Sequence, residues 1–268
     1  MELSPPLTCE HEVEGNPEGP TLFFIHGWPD DASLWRKQVA ALSGDYRCVT
    51  VTLPNFGPRK VRGGGFDFPE LVAMLHATVG AVRRGDEKIT LVTHDWGAYL
   101  GYLFEQKHPG LVDRMVALDI GGHKEPEGVK ETLFIVGYQW TLIALWCVGG
   151  VIPPLGTWLT RGFAGLLGVR PRQRARLHSR CNYPYFYLWR GMLLPPWRDR
   201  ILQRYRPRRP VLYLWGEKKP VMFHSEKWLD MVDRSGGRSE GIEGAGHWLQ
   251  ESHPQAVNEA IRGFVPRA

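Results

Sequence analysis

"ITLVTHDWGAYLGYLFEQ", residues 89–106, decides how the chain is read. An apolar, β-branched run ends at His94, and a helical pattern opens at Gly97-Ala98. Asp95 sits at the tip of that strand-to-helix elbow, where the backbone is forced into a strained conformation and tolerates only small neighbours. Gly97 and Ala98 supply the room on the helix side, whereas Thr93 is bulkier than the glycine common two places before such a tip. The Trp96 N–H opens the helix without an intrahelical partner and is free to bind an anion. A carboxylate presented in this way needs a reaction that uses it.

Working outward, the same alternation recurs. "TLFFIHG" (21–27) is a continuous apolar run, as expected of a strand buried on both faces. Asp30 or Asp31 caps a helix carrying Leu34, Trp35, Val39 and Leu42 at helical spacing. "YRCVTVTLP" (46–54) is a strand, "FPELVAMLHATVGAV" (68–82) a helix with Pro69 in its first turn, and "RMVALDI" (114–120) another strand. Alternation then stops until the strand "PVLYLWG" (210–216), the helix "SEKWLDMVDRS" and, after a glycine-rich turn to His247, the helix "PQAVNEAIRGFV". The weakly patterned residues 8–20 are left to supply a missing early strand. This order implies an α/β fold, a mostly parallel, doubly wound sheet whose ligands gather at the carboxyl ends of the strands. Residues 1–121 and 207–268 form its core. Residues 122–206, rich in aromatics, Pro and Gly, form a helical lid insertion.

The 268 residues, with 12% aromatics, suit such a domain and show no solenoid period. "MELSPPLTCEHEVEGNPEG" lacks the basic flank and apolar centre of a signal peptide, and the four cysteines have no C-x-x-C spacing. A reducing, cytoplasmic setting follows, with no metal and no cofactor expected. "GGG" (63–65) lacks the strand-to-helix context of a phosphate loop and reads as a turn. Of the net charge of +5, much crowds into Arg170, Arg172, Arg174, Arg176, Arg180 and the six arginines of 198–209. No nucleic-acid motif accompanies it, so nucleic acid is set aside as a partner; the charge reads first as a solvated face. Residues 132–160 carry no charge and could span a bilayer by length. Gly149-Gly150, Pro153-Pro154 and Gln139 interrupt them, however, and a span would split the two halves of the core. They read as apolar helices lining a pocket, with shallow membrane contact as the secondary reading.

The strand ends bring together "HGWPD" (26–30), Asp95, Asp119, Glu217 and His247. The N–H groups of Trp28 and Trp96 are placed to form an oxyanion hole. With "HGWPDDASLWRKQVAAL", "HDWGA" and "GAGHWLQESHP" in this order and spacing, the chain resembles the α/β-hydrolases of the epoxide hydrolase and haloalkane dehalogenase group. The resemblance covers roughly 21–121 and 207–265 and implies a nucleophilic Asp95. Displacement at a tetrahedral carbon suits a carboxylate, which needs no base to attack. It leaves an alkyl ester that water, activated by His247, must hydrolyse. The histidine needs an acid to orient it. Where many relatives carry that acid in a "WGxxDP"-like turn, this chain reads "WGEKKP" with Lys219, so Asp119 in "ALDIGG" is preferred to Glu217.

The resemblance also implies two lid tyrosines that protonate an epoxide oxygen. "GYQW" (137–140) gives Tyr138. In "NYPYFYLWRGM" (182–192), Trp189 aligns with the second tyrosine. Tyr187, one turn from Arg190, is taken as its substitute, with Tyr183 and Tyr185 behind it. Trp140 and Trp189 are expected to touch the substrate, a lipophilic small molecule that reacts with water. The alternative is a haloalkane dehalogenase using indole donors such as Trp28, Trp96 or Trp140. A third reading is a ligand-binding relative whose catalysis has decayed, signalled by Lys219. His26 is expected to support the loop beneath the oxyanion hole, His94 to point inward and His253 to start a surface helix.

Overall fold

The computed structural model describes residues 7–58, 61–125, 128–194, 204–219 and 221–267. Seven strands form one sheet: β1 (Glu10–Gly15), β2 (Thr21–Ile25), β3 (Arg47–Thr52), β4 (Ile89–His94), β5 (Val112–Leu118), β6 (Val211–Gly216) and β7 (Arg238–Ile242), in the order β1-β3-β2-β4-β5-β6-β7. Only β1 runs antiparallel to its neighbour. The chain belongs to a doubly wound α/β architecture, as its alternating pattern requires.

Burial on both faces follows from the period of two along each strand. Leu22 and Phe24 of β2 pack into an apolar layer with α1 (Arg36–Leu42) and the C-terminal helix Pro254–Phe264. Phe23 and Ile25 enter the opposite layer, with α2 (Phe68–Val82) and α3 (Trp96–Lys107). Asp67 and Glu70 close a reciprocal capping box at the start of α2, with Pro69 in the first turn. Residues 8–20 do supply an early strand, and both edge strands are weakly patterned. In β1, EHEVEG, nearly every side chain is solvated; as an edge strand it needs no apolar face. β7, RSEGI, is the opposite edge and equally polar.

Between β5 and β6 the chain leaves the sheet. The inserted helices are α4 (Val129–Val151), α5 (Pro153–Leu166), α6 (Pro171–Arg176) and α7 (Tyr183–Leu193). Ile152-Pro153 breaks the uncharged run into α4 and α5, since Pro153 cannot continue the helix that precedes it. The two helices touch where Gly149 and Gly156 meet; a Cβ on Gly156 would lie 2.3 Å from the Gly149 Cα. The hairpin is therefore built for close approach. After β6 come α8 (Glu226–Arg234), the short α9 (Leu249–Ser252) and α10 (Pro254–Phe264).

Candidate active site

Asp95 follows β4 with φ 54° and ψ −124°, the left-handed strain expected at the elbow tip. Two glycines admit it. A Cβ on Gly97 would stand 2.1 Å from the Ile25 carbonyl oxygen, and one on Gly27 would stand 2.3 Å from Asp95 Oδ1. The backbone N–H of Trp28 donates to that Oδ1 at 2.7 Å, and the Trp96 N–H also supports the carboxylate. The other oxygen, Oδ2, lies 3.8 Å from His247 Nε2. The two oxygens are thus distinct: one is held by the Trp28 N–H, the other faces the imidazole. Burial pushes the Asp95 carboxyl above the ordinary carboxylate range, opposed by the His247 charge and the two N–H groups.

His247 Nδ1 meets Asp119 Oδ2 at 2.6 Å. Asp119 is fully buried at the end of β5, with φ 70°. Its Oδ1 takes Lys219 Nζ at 2.5 Å and the Gly216 N–H at 3.3 Å. Burial alone would raise Asp119, but His247 and Lys219 outweigh it and hold the carboxyl below the usual range. Burial alone would likewise lower His247, and the hydrogen bond and charge of Asp119, aided by Asp95, lift it above 6.5 instead. Glu217 is exposed and packs beside Gly241, away from the imidazole. Lys219 therefore joins the site as a third charge on the acid, a role its sequence position did not announce.

The flanking histidines are neutral struts. Leu53 N–H donates to His26 Nε2, so His26 Nδ1–H donates to the Gly27 carbonyl and fixes the loop carrying Trp28. Burial lowers His26 to about 4 and His94 to about 3. His94 bonds the His247 backbone carbonyl through Nε2. Asp31 caps the turn at Ala32–Trp35, while Asp30 is buried against Trp248 Nε1 and Gln173, and burial pushes it up to about 7.

Asp95 and His247 open into a pocket of about 270 Å³. Its walls are mainly apolar and aromatic, among them Phe134, Ile135, Leu167, Leu188, Phe223 and Trp248. Tyr138 of α4 and Tyr185 of α7 face each other across it, with ring centroids 6.0 Å apart. Burial raises both phenols, so they remain protonated donors at neutral pH.

Three expected contacts fall elsewhere. Tyr187 is not the second pocket tyrosine. Two residues along a helix turn a side chain through about 200°, and its hydroxyl donates to the Gly64 carbonyl at 2.9 Å under a stacked Arg190. Tyr185 takes the place expected of it. Trp140, two residues beyond Tyr138, is likewise carried outward, 45% exposed and packed on Trp189. Trp189 stands behind the wall: its indole N–H donates to Gln139 Oε1 at 2.8 Å, and Gln139 Nε2 donates to Tyr138 Oη at 3.3 Å. Because indole can only donate, it fixes which end of Gln139 faces Tyr138, and leaves the Tyr138 proton for the pocket. Among the described residues no His, Cys, Asp and Glu cluster could hold a metal.

The model of the alpha/beta hydrolase family matches residues 22–260. The chain belongs to that family. Epoxide hydrolase 3 of Xenopus tropicalis is 25% identical over 97% of this chain and 75% of its own length. The cis-3-alkyl-4-alkyloxetan-2-one decarboxylase of Xanthomonas campestris is 26% identical over 100% of this chain and 95% of its own. Among solved structures, an epoxide hydrolase of Bacillus megaterium holding a naphthyloxy-propanediol product aligns with TM-score 0.68 and 20% identity, covering 96% of this chain and 98% of that one. At that identity the structural likeness establishes the fold alone.

Proposed function

We propose that the protein hydrolyses epoxides of lipophilic small molecules through an ester on Asp95. The observation that carries this reading is the placement in one apolar pocket of a backbone-held carboxylate, a His247–Asp119 pair and two protonated phenols. Asp95 Oδ2 attacks a ring carbon. The C–O bond breaks, and the ring oxygen takes its proton from Tyr138 or Tyr185. Oδ1, already bound by the Trp28 N–H, becomes the ester carbonyl oxygen, with the Trp96 N–H also supporting the group. Neutral His247 then takes a proton from water as the water attacks Cγ, while the two N–H groups hold the oxyanion and Asp119 stabilises the imidazolium. Collapse breaks the ester C–O bond: the departing diol oxygen takes the proton held by His247, and the Asp95 carboxyl proton returns to the tyrosinate, which restores the carboxylate and the neutral imidazole. We read α4–α7 as a lid whose aromatic wall excludes water and binds the substrate by apolar contact. The epoxide hydrolase names among its relatives favour this chemistry.

For the dehalogenase reading, Trp28 Nε1 already donates to Asn182 Oδ1 at 3.0 Å and has no proton left for a halide. Trp140 is carried outward, which leaves the Trp96 indole alone of the three expected donors. A single turnover of an aryl or alkyl epoxide in heavy-oxygen water tests the proposal. The expected result is an unlabelled diol and one heavy oxygen in the peptide containing Asp95. Label in the diol with none in the peptide would mean direct attack by water and end the ester mechanism.

A further inference from the structure

We propose that the outer face of the α4–α5 hairpin docks on an anionic lipid surface. α4 is long and apolar enough to cross a bilayer, yet only 17% of its most apolar window is buried, so it is not a core helix. Crossing is excluded by topology: β5 before the insertion and β6 after it pair directly in one sheet, and Tyr138 on α4 faces the pocket. The helix lies along the surface instead.

The exposed side chains are the wrong ones for water. Val151 is 83% exposed, Trp158 70% and Leu166 85%, and Ile152 and Leu155 flank the Pro153-Pro154 tip between the helices. Residues 132–160 contribute no charge to this face. Beside it, a groove of about 640 Å³ is lined by Leu145, Trp158, Phe163 and Leu166 together with Arg161 and Arg174. Apolar side chains with guanidinium groups at their edge match acyl chains beneath phosphate headgroups.

Charge identifies the occupant. Residues 128–194 hold eight basic residues against one acidic, whereas the rest of the chain holds 25 basic and 27 acidic. The whole positive excess therefore sits on the insertion. Arg170, Arg176 and Arg190 are paired to Glu251, Asp31 and Asp67 of the core. Arg161 donates to the backbone carbonyls of Leu177 and Ala175, which leave its charge uncompensated, and Arg174, beside it in the groove, has no carboxylate partner among the described residues. Two copies meeting through this face would bring like charges together, which favours an anionic bilayer over self-association. The same helix carries Phe134, which is exposed and also lines the catalytic pocket. If the proposed hydrolase reading holds, a lipophilic substrate enters directly from the bilayer; the docking itself does not depend on that reading.

Flotation of the full chain with vesicles tests the proposal without any substrate. Vesicles of equal parts phosphatidylcholine and phosphatidylglycerol should retain the protein at least about tenfold better than phosphatidylcholine alone, and added salt should narrow the gap. Trp158→Glu should cut retention by about tenfold or more, and Arg174→Glu, in the groove, by about fivefold per unit of charge. Lys88→Glu, the same charge change on the loop before β4, should stay within about twofold. An unchanged melting temperature verifies folding of each variant. Equal retention on both vesicle types, no retention on either, or an unaffected Trp158→Glu variant overturns the proposal. So does a wild-type dimer that Trp158→Glu dissolves, which would make a second copy the occupant.

Discussion

Replacing Lys219 by Met should raise the pKa of His247. Asp119 bridges the two groups, with Oδ1 on Lys219 at 2.5 Å and Oδ2 on His247 at 2.6 Å. The two positive charges are therefore within about 7 Å when His247 is protonated, a repulsion of roughly 0.6 kcal/mol at the dielectric of water and 2.4 kcal/mol at an effective value of 20. Removing it corresponds to a rise of about 0.4–1.7 pH units. The lost hydrogen bond acts in the same direction, since Asp119 then concentrates its charge on the imidazole. In the proposed mechanism the histidine is the base, and this sets the sign for catalysis. Only neutral His247 activates water, so turnover climbs as pH rises through its pKa, and the variant needs a more alkaline medium. Well below that limb, kcat should fall by about 2.5- to 50-fold; well above it, the two enzymes should agree. NMR titration of the His247 ring reads the same shift with no substrate present. An unchanged or lowered pKa in the variant would falsify the view that Lys219 competes with the histidine for the acid.

Asp119→Asn leaves Lys219 charged and almost fully buried, and should destabilise the fold by about 3–5 kcal/mol in denaturant melts; adding Lys219→Met should recover most of that loss, and simple additivity would refute the pairing. Tyr185→Phe should lower kcat by about 10²-fold or more, while Tyr187→Phe should leave it within about twofold, because only Tyr185 reaches the pocket. The reverse ranking would restore the expectation drawn from spacing to Arg190. Gly27→Ala should abolish turnover in a protein that still folds, since its methyl would collide with Asp95 Oδ1 and disturb the elbow; ordinary activity in that variant would mean that the loop moves freely.

Legibility differed from layer to layer, and the physics explains where it failed. Strands buried on both faces announce themselves as unbroken apolar runs, so β2, β3, β4, β5 and β6 were visible to within a residue or two. Edge strands have no such obligation: β1 was only weakly patterned within residues 8–20, and β7 carried no strand signal. The same holds for the site. Asp95, Asp119 and His247 end or follow strands of one parallel sheet, so knowing the strand order was enough to converge them at its carboxyl edge.

The pocket wall obeys a different rule. Tyr183, Tyr185 and Tyr187 are spaced by two, and on a helix such neighbours point in very different directions. Choosing among them requires the phase of α7 against α4, which is set by packing rather than by either segment alone. Once Tyr185 faces Tyr138 at 6.0 Å, Tyr187 must turn to the Gly64 loop, whereas Trp189, just over a full turn beyond Tyr185, keeps nearly the same face one turn further along the helix, where it meets Gln139. Lys219 shows the complementary limit. Read alone, a lysine opposite a catalytic imidazole signals lost function. Placed on the far oxygen of Asp119, it keeps a buried carboxylate ionised while His247 retains the near oxygen. In the proposed mechanism the cation therefore tunes the base instead of replacing its acid, a distinction that depends on which oxygen each partner takes and that no linear pattern contains.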